Sequence, residues 1–397
     1  MSFSRPENVH KILIIKLCCL GDILAMVPAI KALKATYPQA QIDFLATSWV
    51  EELAHLLPGI TRCILWDEPY QNLGFAKKLL SCLKIVKTLR KEKYDMAFIG
   101  HRSRWFAILS TLSGIPHRAG FGNTVFLTHK TPYPVDLHET KRYLEIAKSL
   151  GVKDVSYTIE LNPNSADDPL TLPSPSRGEG KGEGEQKNSS LSYVKQVSTT
   201  ESRFGLDSKK SLIAIIPGGG SNPGISITIK RWEINKFAAL CLKLSQNPDY
   251  QLLLLGSGAD SALTSKILES LPQHHGQIIN AAGETNFKDL IDIFRNARLA
   301  IGGDTGLSYL AAACGTPTLT LFGPTDPRLL APLGPKHKYL WKAPQCSPCC
   351  DPVTIQDKSR RRDKEFVCWT KTHECMETLT VGDVEQAALE MLARTVS

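Results

Sequence analysis

Residues 11–38 read KILIIKLCCLGDILAMVPAIKALKATYP. The apolar run at 12–15 is short and β-branched, as in a strand buried on both faces of a parallel sheet. From 23 to 35 the apolar positions Ile23, Leu24, Val27, Ile30 and Leu33 fall at helical spacing. Pro28 should kink or restart that helix. A strand therefore passes directly into a helix, with Gly21 and Asp22 at the junction. Two explanations fit an acid there: a helix cap, or a general base at the mouth of a site.

The same rhythm continues outward from this unit. QIDFLAT (41–47) reads as a second strand, FAKKLLSCLKIVKTLRKEK (75–93) as an amphipathic helix and YDMAFIG (94–100) as a third strand. Such βαβαβ alternation predicts a doubly wound parallel sheet over residues 1–161. The rhythm breaks between 162 and 208, where PSPSRGEGKGEGEQKNSS contains no large apolar residue. Such a segment buries too little surface to offset its ordering entropy, so it reads as a disordered linker insertion without chemistry. The alternation restarts with LIAIIPGGG (212–220) and runs through QLLLLGSG, QIIN, LAIGGDTG and TPTLTLFGPTDP, with helical stretches between. This predicts a second doubly wound domain over 209–380, with VGDVEQAALEMLART opening a closing helix at 381–397. Two such domains facing across a crevice suit a ligand held at strand C-terminal ends.

Composition agrees with two soluble domains: 397 residues, 42% hydrophobic and 22% charged. No run approaches the roughly 18 apolar residues of a membrane span. The start, MSFSRPENVH, lacks the apolar centre of a signal peptide, so a cytoplasmic protein is expected. Many of the eleven cysteines lie in apolar segments, as Cys241 does, and there behave as small hydrophobes. The formal charge of +8 favours an anionic partner: nucleic acid, a membrane surface or a phosphorylated ligand. Its basic residues are scattered over two α/β domains without a nucleic-acid-binding module, which argues against nucleic acid. The densest basic stretch, DKSRRRDKEF (357–366), reads as a solvated loop, with phosphate or membrane contact as the alternative.

Three glycine turns follow strands of the second domain. GGDTG places Asp304, Thr305 and Gly306 before a helix, where free amides and the helix dipole suit a diphosphate. Ordinary capping by Asp304 or Thr305 is the competing explanation. PGGGSN, with Gly218 and Gly219, and LGSGAD, with Asp260, belong to the same sheet edge. None of the three is a Walker A loop or a full GxGxxG motif. Lys230 and Arg231 precede a helix expected to start near Trp232, where the dipole opposes cations. That placement suggests an anion arriving from outside. Asp260 could accept a hydrogen bond from a ribose or simply cap its helix. No DxD pair is present to hold a divalent cation, and Asp167 with Asp168 lies in the insertion, so no metal and no cofactor are expected.

In the first domain, GHRSRWFAILSTLSGIPHRAGF carries His101, Arg102, Arg104, His117 and Arg118. These read as two basic clusters after strands, able to grip a phosphorylated acceptor, or else as a solvated face. Gly21 would leave room for the acceptor beside Asp22. Trp105 and Phe106 are expected in the core. Near the C-terminus stand Cys346, Cys349, Cys350, Cys368, Cys375 and His373. The second cysteine pair has C-x6-C spacing, so a reduced, partly buried cysteine loop is expected ahead of a zinc site.

Taken together, ILIIKLCCLGDILAMVPAIKALKATYPQAQIDFL, SGIPHRAGF, PGGG with KRW, LLGSGAD, NAAGET, GGDTGLSYLAAACGTPTLTLFGPTDP and CSPC with HECM resemble glycosyltransferase family 9, the lipopolysaccharide heptosyltransferases. The SGIPHR and cysteine segments resemble the heptosyltransferase II branch. The resemblance implies a GT-B architecture, with an N-terminal acceptor domain and a C-terminal donor domain. It implies inverting, metal-independent transfer of heptose from ADP-heptose to the inner core of lipopolysaccharide. The partners would then be a nucleotide sugar and a phosphorylated lipid-linked oligosaccharide, with peripheral contact at the cytoplasmic face of the inner membrane. The family's catalytic aspartate falls on Asp22, its phosphate-binding lysine on Lys230, its Asp-Thr-Gly loop on Asp304, Thr305 and Gly306, and its nucleoside-binding acid on Asp260. Two departures stand out: Cys18 and Cys19 precede Leu-Gly-Asp, and the loop before Lys-Arg-Trp is long. The alternatives are another nucleotide sugar with another cell-surface glycan, or a catalytically silent nucleotide-sugar-binding protein.

Overall fold

The structure, a computed structural model, describes residues 6–394 apart from 68, 70, 72–73, 154–156, 158, 160, 162–199, 223–224, 272–276 and 352–353. Most of the expected insertion, including Asp167 and Asp168, lies outside the described residues.

The first domain is a sheet of six parallel strands: β1 (Lys11–Ile15), β2 (Gln41–Ala46), β3 (Ile60–Leu65), β4 (Met96–Ile99), β5 (His117–Phe121) and β6 (His129–Thr131), in the order β3-β2-β1-β4-β5-β6. Its helices are α1 (Leu20–Ala25), α2 (Val27–Thr36), α3 (Glu51–Leu56), α4 (Phe75–Glu92), α5 (Arg104–Leu112) and α6 (Glu139–Ser149). Strand β1 explains its own composition. Ile12 and Ile14 enter one apolar layer while Leu13 and Ile15 enter the other, so a central strand covered on both faces has no position left for a polar residue. The helix after it breaks at Met26 and restarts, with Pro28 in the first turn of α2, where its missing N–H costs nothing.

The second domain repeats the plan. Strands β7 (Ser211–Ile216), β10 (Tyr250–Leu254), β11 (Ile278–Asn280), β12 (Leu299–Gly303), β13 (Thr318–Phe322) and β14 (His337–Trp341) form a parallel sheet in the order β11-β10-β7-β12-β13-β14. Four short strands, β8 (Ser221–Asn222), β9 (Ile225–Ser226), β15 (Arg361–Arg362) and β16 (Glu365–Phe366), make a separate small sheet. The helices are α7 (Thr200–Phe204), α8 (Ile234–Leu244), α9 (Ser261–Glu269), α10 (Phe287–Asn296), α11 (Gly306–Ala313), α12 (Pro327–Leu330), α13 (Glu374–Glu377) and α14 (Val381–Arg394). Among the described residues no helix is long and apolar enough to cross a membrane.

Five details depart from the sequence reading. The end of the expected disordered insertion is helical: α7 is anchored by buried Phe204 and by Arg203, whose Nη1 lies 2.6 Å from Asp289. The helix expected at Trp232 begins at Ile234, because Trp232 is drawn into the core and donates its indole N–H to the Leu379 carbonyl. Phe106 is buried but Trp105 is 42% exposed on the outer side of α5. The C-terminal helix α14 belongs to the second domain's core, through Val384, Ala388, Met391 and Leu392. The stretch DKSRRRDKEF contributes β15 and β16 rather than a plain solvated loop.

In each sheet the chain leaves the central strand toward one side and later returns on the other, between β1 and β4 and between β7 and β12. Ligands in such sheets bind outside the strand C-termini at that switch point. Asp22 follows β1 and Gly218 follows β7, so the two switch points carry the two motifs.

Candidate functional site

A cavity of about 830 Å³ lies between the two sheets, with Asp22 on the first-domain side and Lys230, Asp304 and Thr305 on the second. The helices that flank it touch. A Cβ on Gly306 would lie 2.6 Å from Leu20, so only glycine lets the start of α11 approach α1 this closely.

Asp22 sits in the first turn of α1, but its carboxylate does not cap the helix. The N-cap residue is Cys19, which makes no side-chain cap bond, and Asp22 Oδ2 instead accepts from Lys16 Nζ at 2.7 Å. Lys16 directly follows β1 and is 7% exposed at its side chain, whereas Asp22 is 38% exposed toward the cavity. Burial works against the charged form of Lys16, yet the Asp22 carboxylate and the Cys18 and Cys19 sulfurs hold its ammonium well above the ordinary range. The base candidate is therefore oriented by a permanently charged partner while one side stays open.

On the opposite wall, Lys230 ends a short turn at Thr228–Lys230 and donates to Asp304 Oδ2 at 2.7 Å. Asp304 also accepts from Thr325 Oγ1 at 2.9 Å, so its carboxylate positions the lysine rather than capping α11. Burial opposes the charge on Lys230, but Asp304 outweighs it and the ammonium is raised overall. Thr305 is the N-cap of α11, yet its hydroxyl makes no cap bond and is buried without a partner among the described residues. The first-turn N–H groups of α11, which have no carbonyl partner within a helix, face the cavity together with the dipole's positive end. Gly219 adopts φ +100°, and a Cβ there would lie 2.2 Å from the Thr305 side chain, so the glycine turn is packed against this anion-facing corner.

Asp260 lines the cavity but is occupied. It accepts from Ser257 N and Ser257 Oγ through one oxygen, and from Gly219 N and Arg231 Nη2 through the other. Arg231 in turn donates to the Gly219 carbonyl at 2.7 Å. The geometry makes Asp260 and Arg231 braces of the Gly218–Gly219 loop; a ribose would have to compete with four existing donors.

The expected acceptor residues divide. His101 and Arg102 line the cavity with Gly21. His101 is stacked on Phe106 and its Nε2 accepts from the Leu17 N–H. Burial and then Lys16 push its pKa well below the ordinary value, so it is a neutral strut rather than a phosphate-binding cation. Arg102 lies over the Tyr133 ring at 4.3 Å. Arg104 is exposed in the first turn of α5 and does not line the cavity. His117 and Arg118 require correction. They open β5 instead of following it, which puts them at the far edge of a parallel sheet. Arg118 there donates to the Ile115, Pro116 and Phe126 carbonyls and ties down a loop.

Other cavity residues carried no signal in the motif reading: Lys16, Glu139 and Tyr143; Cys350, read only as part of the cysteine cluster, also lines the cavity. Glu139 stands beside Arg142 at the start of α6, and burial together with Asp22 raises its carboxyl. Lys16 could have been found as the only charge closing an apolar strand. Glu139 and Arg142 could have been found as an i,i+3 acid–base pair at a helix start.

The long loop before Lys230 forms β8 and β9, and β9 pairs with β16 of the cysteine-rich arm. Ile227, Cys350 and Phe366 pack together beneath them. His373 Nε2 meets the Ile229 carbonyl at 2.6 Å, so this arm walls the cavity next to Lys230. Cys349, Cys350 and Cys375 are buried, and burial pushes the Cys375 thiol up to about 12. Among the described residues no group of three or more His, Cys, Asp or Glu side chains is placed to hold a metal ion.

The glycosyltransferase family 9 (heptosyltransferase) model matches residues 82–359. Lipopolysaccharide heptosyltransferase 2 of Escherichia coli K12 is 26% identical over 339 residues, 83% of this chain and 87% of that protein. The solved structure of E. coli ADP-heptose lps heptosyltransferase II has a TM-score of 0.69 at 23% identity, covering 98% of this chain and 100% of that one. The glycosyl transferase family 9 structure from Veillonella parvula DSM 2008 has a TM-score of 0.73 at 18% identity, covering 99% and 100%. The structural likenesses show the two-domain GT-B fold.

Proposed function

Since the chain belongs to glycosyltransferase family 9, we propose that it moves heptose from ADP-heptose to an inner-core sugar of lipopolysaccharide, with inversion at the anomeric carbon and without a metal ion. One observation carries this reading: a single cavity has an open carboxylate, Asp22, on one wall, and a lysine with a helix N-terminus, Lys230 and α11, on the other. The names of the relatives, lipopolysaccharide heptosyltransferase 2 and ADP-heptose lps heptosyltransferase II, supply the sugar, the nucleotide and the acceptor class.

In this mechanism the donor diphosphate lies against Lys230 and the first turn of α11. Asp22 takes the proton from an acceptor hydroxyl, which attacks the anomeric carbon on the face opposite the diphosphate. The C–O bond to phosphate breaks as the new C–O bond forms, and configuration inverts. Charge growing on the departing phosphate meets the Lys230 ammonium and preorganised amides. Lys16 holds Asp22 in position throughout. A soluble nucleotide donor and a lipid-anchored acceptor put the reaction at the cytoplasmic face of the inner membrane.

Isothermal titration with ADP-heptose, ADP, UDP and GDP, with EDTA present, tests the donor. Tight binding of ADP and ADP-heptose that weakens about 10-fold or more in Lys230→Ala is expected, since a lost charge-assisted contact is worth roughly 1.5–3 kcal/mol. Preference for UDP or GDP would keep the transferase and discard heptose. No nucleotide binding would favour neither donor and overturn the reading.

A further inference from the structure

Helix α4 covers the first sheet with one narrow face, where Cys82 and Val86 pack half-buried beside the fully engaged row. Ser81, Ile85 and Leu89 are buried, and Ser81 Oγ accepts from the Trp66 indole at 2.8 Å. The opposite face is unlike a soluble surface. In its first half Phe75, Leu79, Leu80 and Leu83 are 83, 50, 65 and 58% exposed. In its second half the outward positions are Lys84, Lys87 and Lys91, none of which forms an ion pair among the described residues. Trp105 on the neighbouring helix α5 adds a half-exposed indole.

Direction matters here. Helices α4 and α5 return antiparallel to the strands, so their N-termini lie at the strand C-terminal edge, the edge where Asp22 faces the cavity. The apolar end of α4 is therefore toward the site.

We infer that this face of α4, with Trp105 beside it, docks on a bilayer surface bearing anionic headgroups. Apolar side chains flanked by lysines are the pattern of a helix lying in the interface plane, with leucines in the acyl boundary and ammoniums at the phosphates. An indole suits the headgroup level. A second copy of the chain fits worse. Parallel pairing would bring lysine against lysine, and antiparallel pairing would set lysines against leucines. The inference rests on the proposed lipid-linked acceptor for its purpose, but its test does not depend on that reading.

The test is co-sedimentation of the full chain with vesicles of phosphatidylcholine, with and without phosphatidylglycerol. Binding to the anionic vesicles is expected, falling as salt rises. The charge variant Lys84→Glu, Lys87→Glu, Lys91→Glu should lose at least on the order of 100-fold in partitioning, as each lysine removed from an anionic surface costs roughly fivefold and the reversed charge adds to it. The apolar variant Leu79→Ser, Leu80→Ser, Leu83→Ser should lose binding to both salt-free and salted vesicles. A control carrying Lys209→Glu, Lys266→Glu and Lys336→Glu, all in the second domain, should retain most of it. Circular dichroism and the thermal midpoint report that each variant is folded, and both should be unchanged. Equal binding by wild type and both α4 variants would overturn the inference. So would light scattering that shows a wild-type dimer dissolved by the apolar variant, which would make the face a contact between copies. Vesicle binding without heptosyl transfer would leave the surface standing and remove only the proposed substrate.

Discussion

Asp22 shows why an acid at a strand–helix junction need not be a cap. Its partner is the side chain of Lys16, and its second oxygen is open to the cavity. Replacing it with Asn keeps the shape and removes the proposed base. The Asp22→Asn protein should bind nucleotide as before and lose roughly 10²–10⁴-fold in kcat, the range typical of a positioned general base. Single-turnover transfer beside donor titration separates the two effects, and an unchanged kcat would remove Asp22 from the chemistry. At this scale the sequence was readable where function follows position along a strand: a residue just past β1 or β7 must face the crevice. It misled where direction decides. His117 and Arg118 sit beside glycine and proline like a loop motif, but they begin a strand and so lie at the other edge. Lys16 and Glu139 match no named motif; their partners are close in the chain, Asp22 six residues on and Arg142 three, so only local charge placement points to them.

Among the elements, the small sheet of β8, β9, β15 and β16 was not legible, since its strands are two residues long and its two local pairs, β8 with β9 and β15 with β16, are joined by a pairing of Glu365 with Ser226 across more than a hundred positions. Periodicity needs several turns of a pattern to register, and two residues offer none. The long strands and helices did register, down to the restart at Pro28. The small sheet is held by Phe366, fully buried against Ile227 and Cys350. Phe366→Ala removes that wedge next to Lys230. The satellite cluster is small, so the loss should appear locally: donor affinity should fall by about 10-fold, or roughly 1.4 kcal/mol, while the thermal midpoint moves only a few degrees. Titration calorimetry and differential scanning of the same preparation would check both.

For the whole molecule, the seam between domains contains a titratable group. His138 caps α6 in the first domain, its Nδ1 accepting from Thr140 N, and its Nε2 lies 2.8 Å from the Ala331 carbonyl of the second. The neutral ring with its proton on Nε2 satisfies both contacts; a second proton on Nδ1 would face the Thr140 N–H. Burial lowers its pKa from 6.5 to about 4. Between those values the unfolded chain binds more protons than the folded one, so this contribution is fully present above pH 6.5 and is lost as pH falls toward 4. Going from about pH 7 to about pH 5 should remove roughly 2 kcal/mol through this residue. His138→Ser, which can still cap the helix, should flatten that part of the pH dependence in urea unfolding; an identical slope would assign the acid sensitivity elsewhere. The two domains themselves could be read from the alternation of strands and helices. Their seam could not, because Gly306 against Leu20 is a meeting of two helix starts 286 residues apart that no local pattern records.

That meeting also defines a route to inhibition. In the proposed reaction proton acceptance falls to one domain and diphosphate binding to the other, and the residues assigned to both line one chamber. A compound joining a mimic of the acceptor ring to a diphosphate surrogate would engage both walls. Once one end is seated, the other binds at an effective concentration on the order of millimolar. Such a bisubstrate ligand would act as a rivet, gaining residence time from the tether rather than from either half alone.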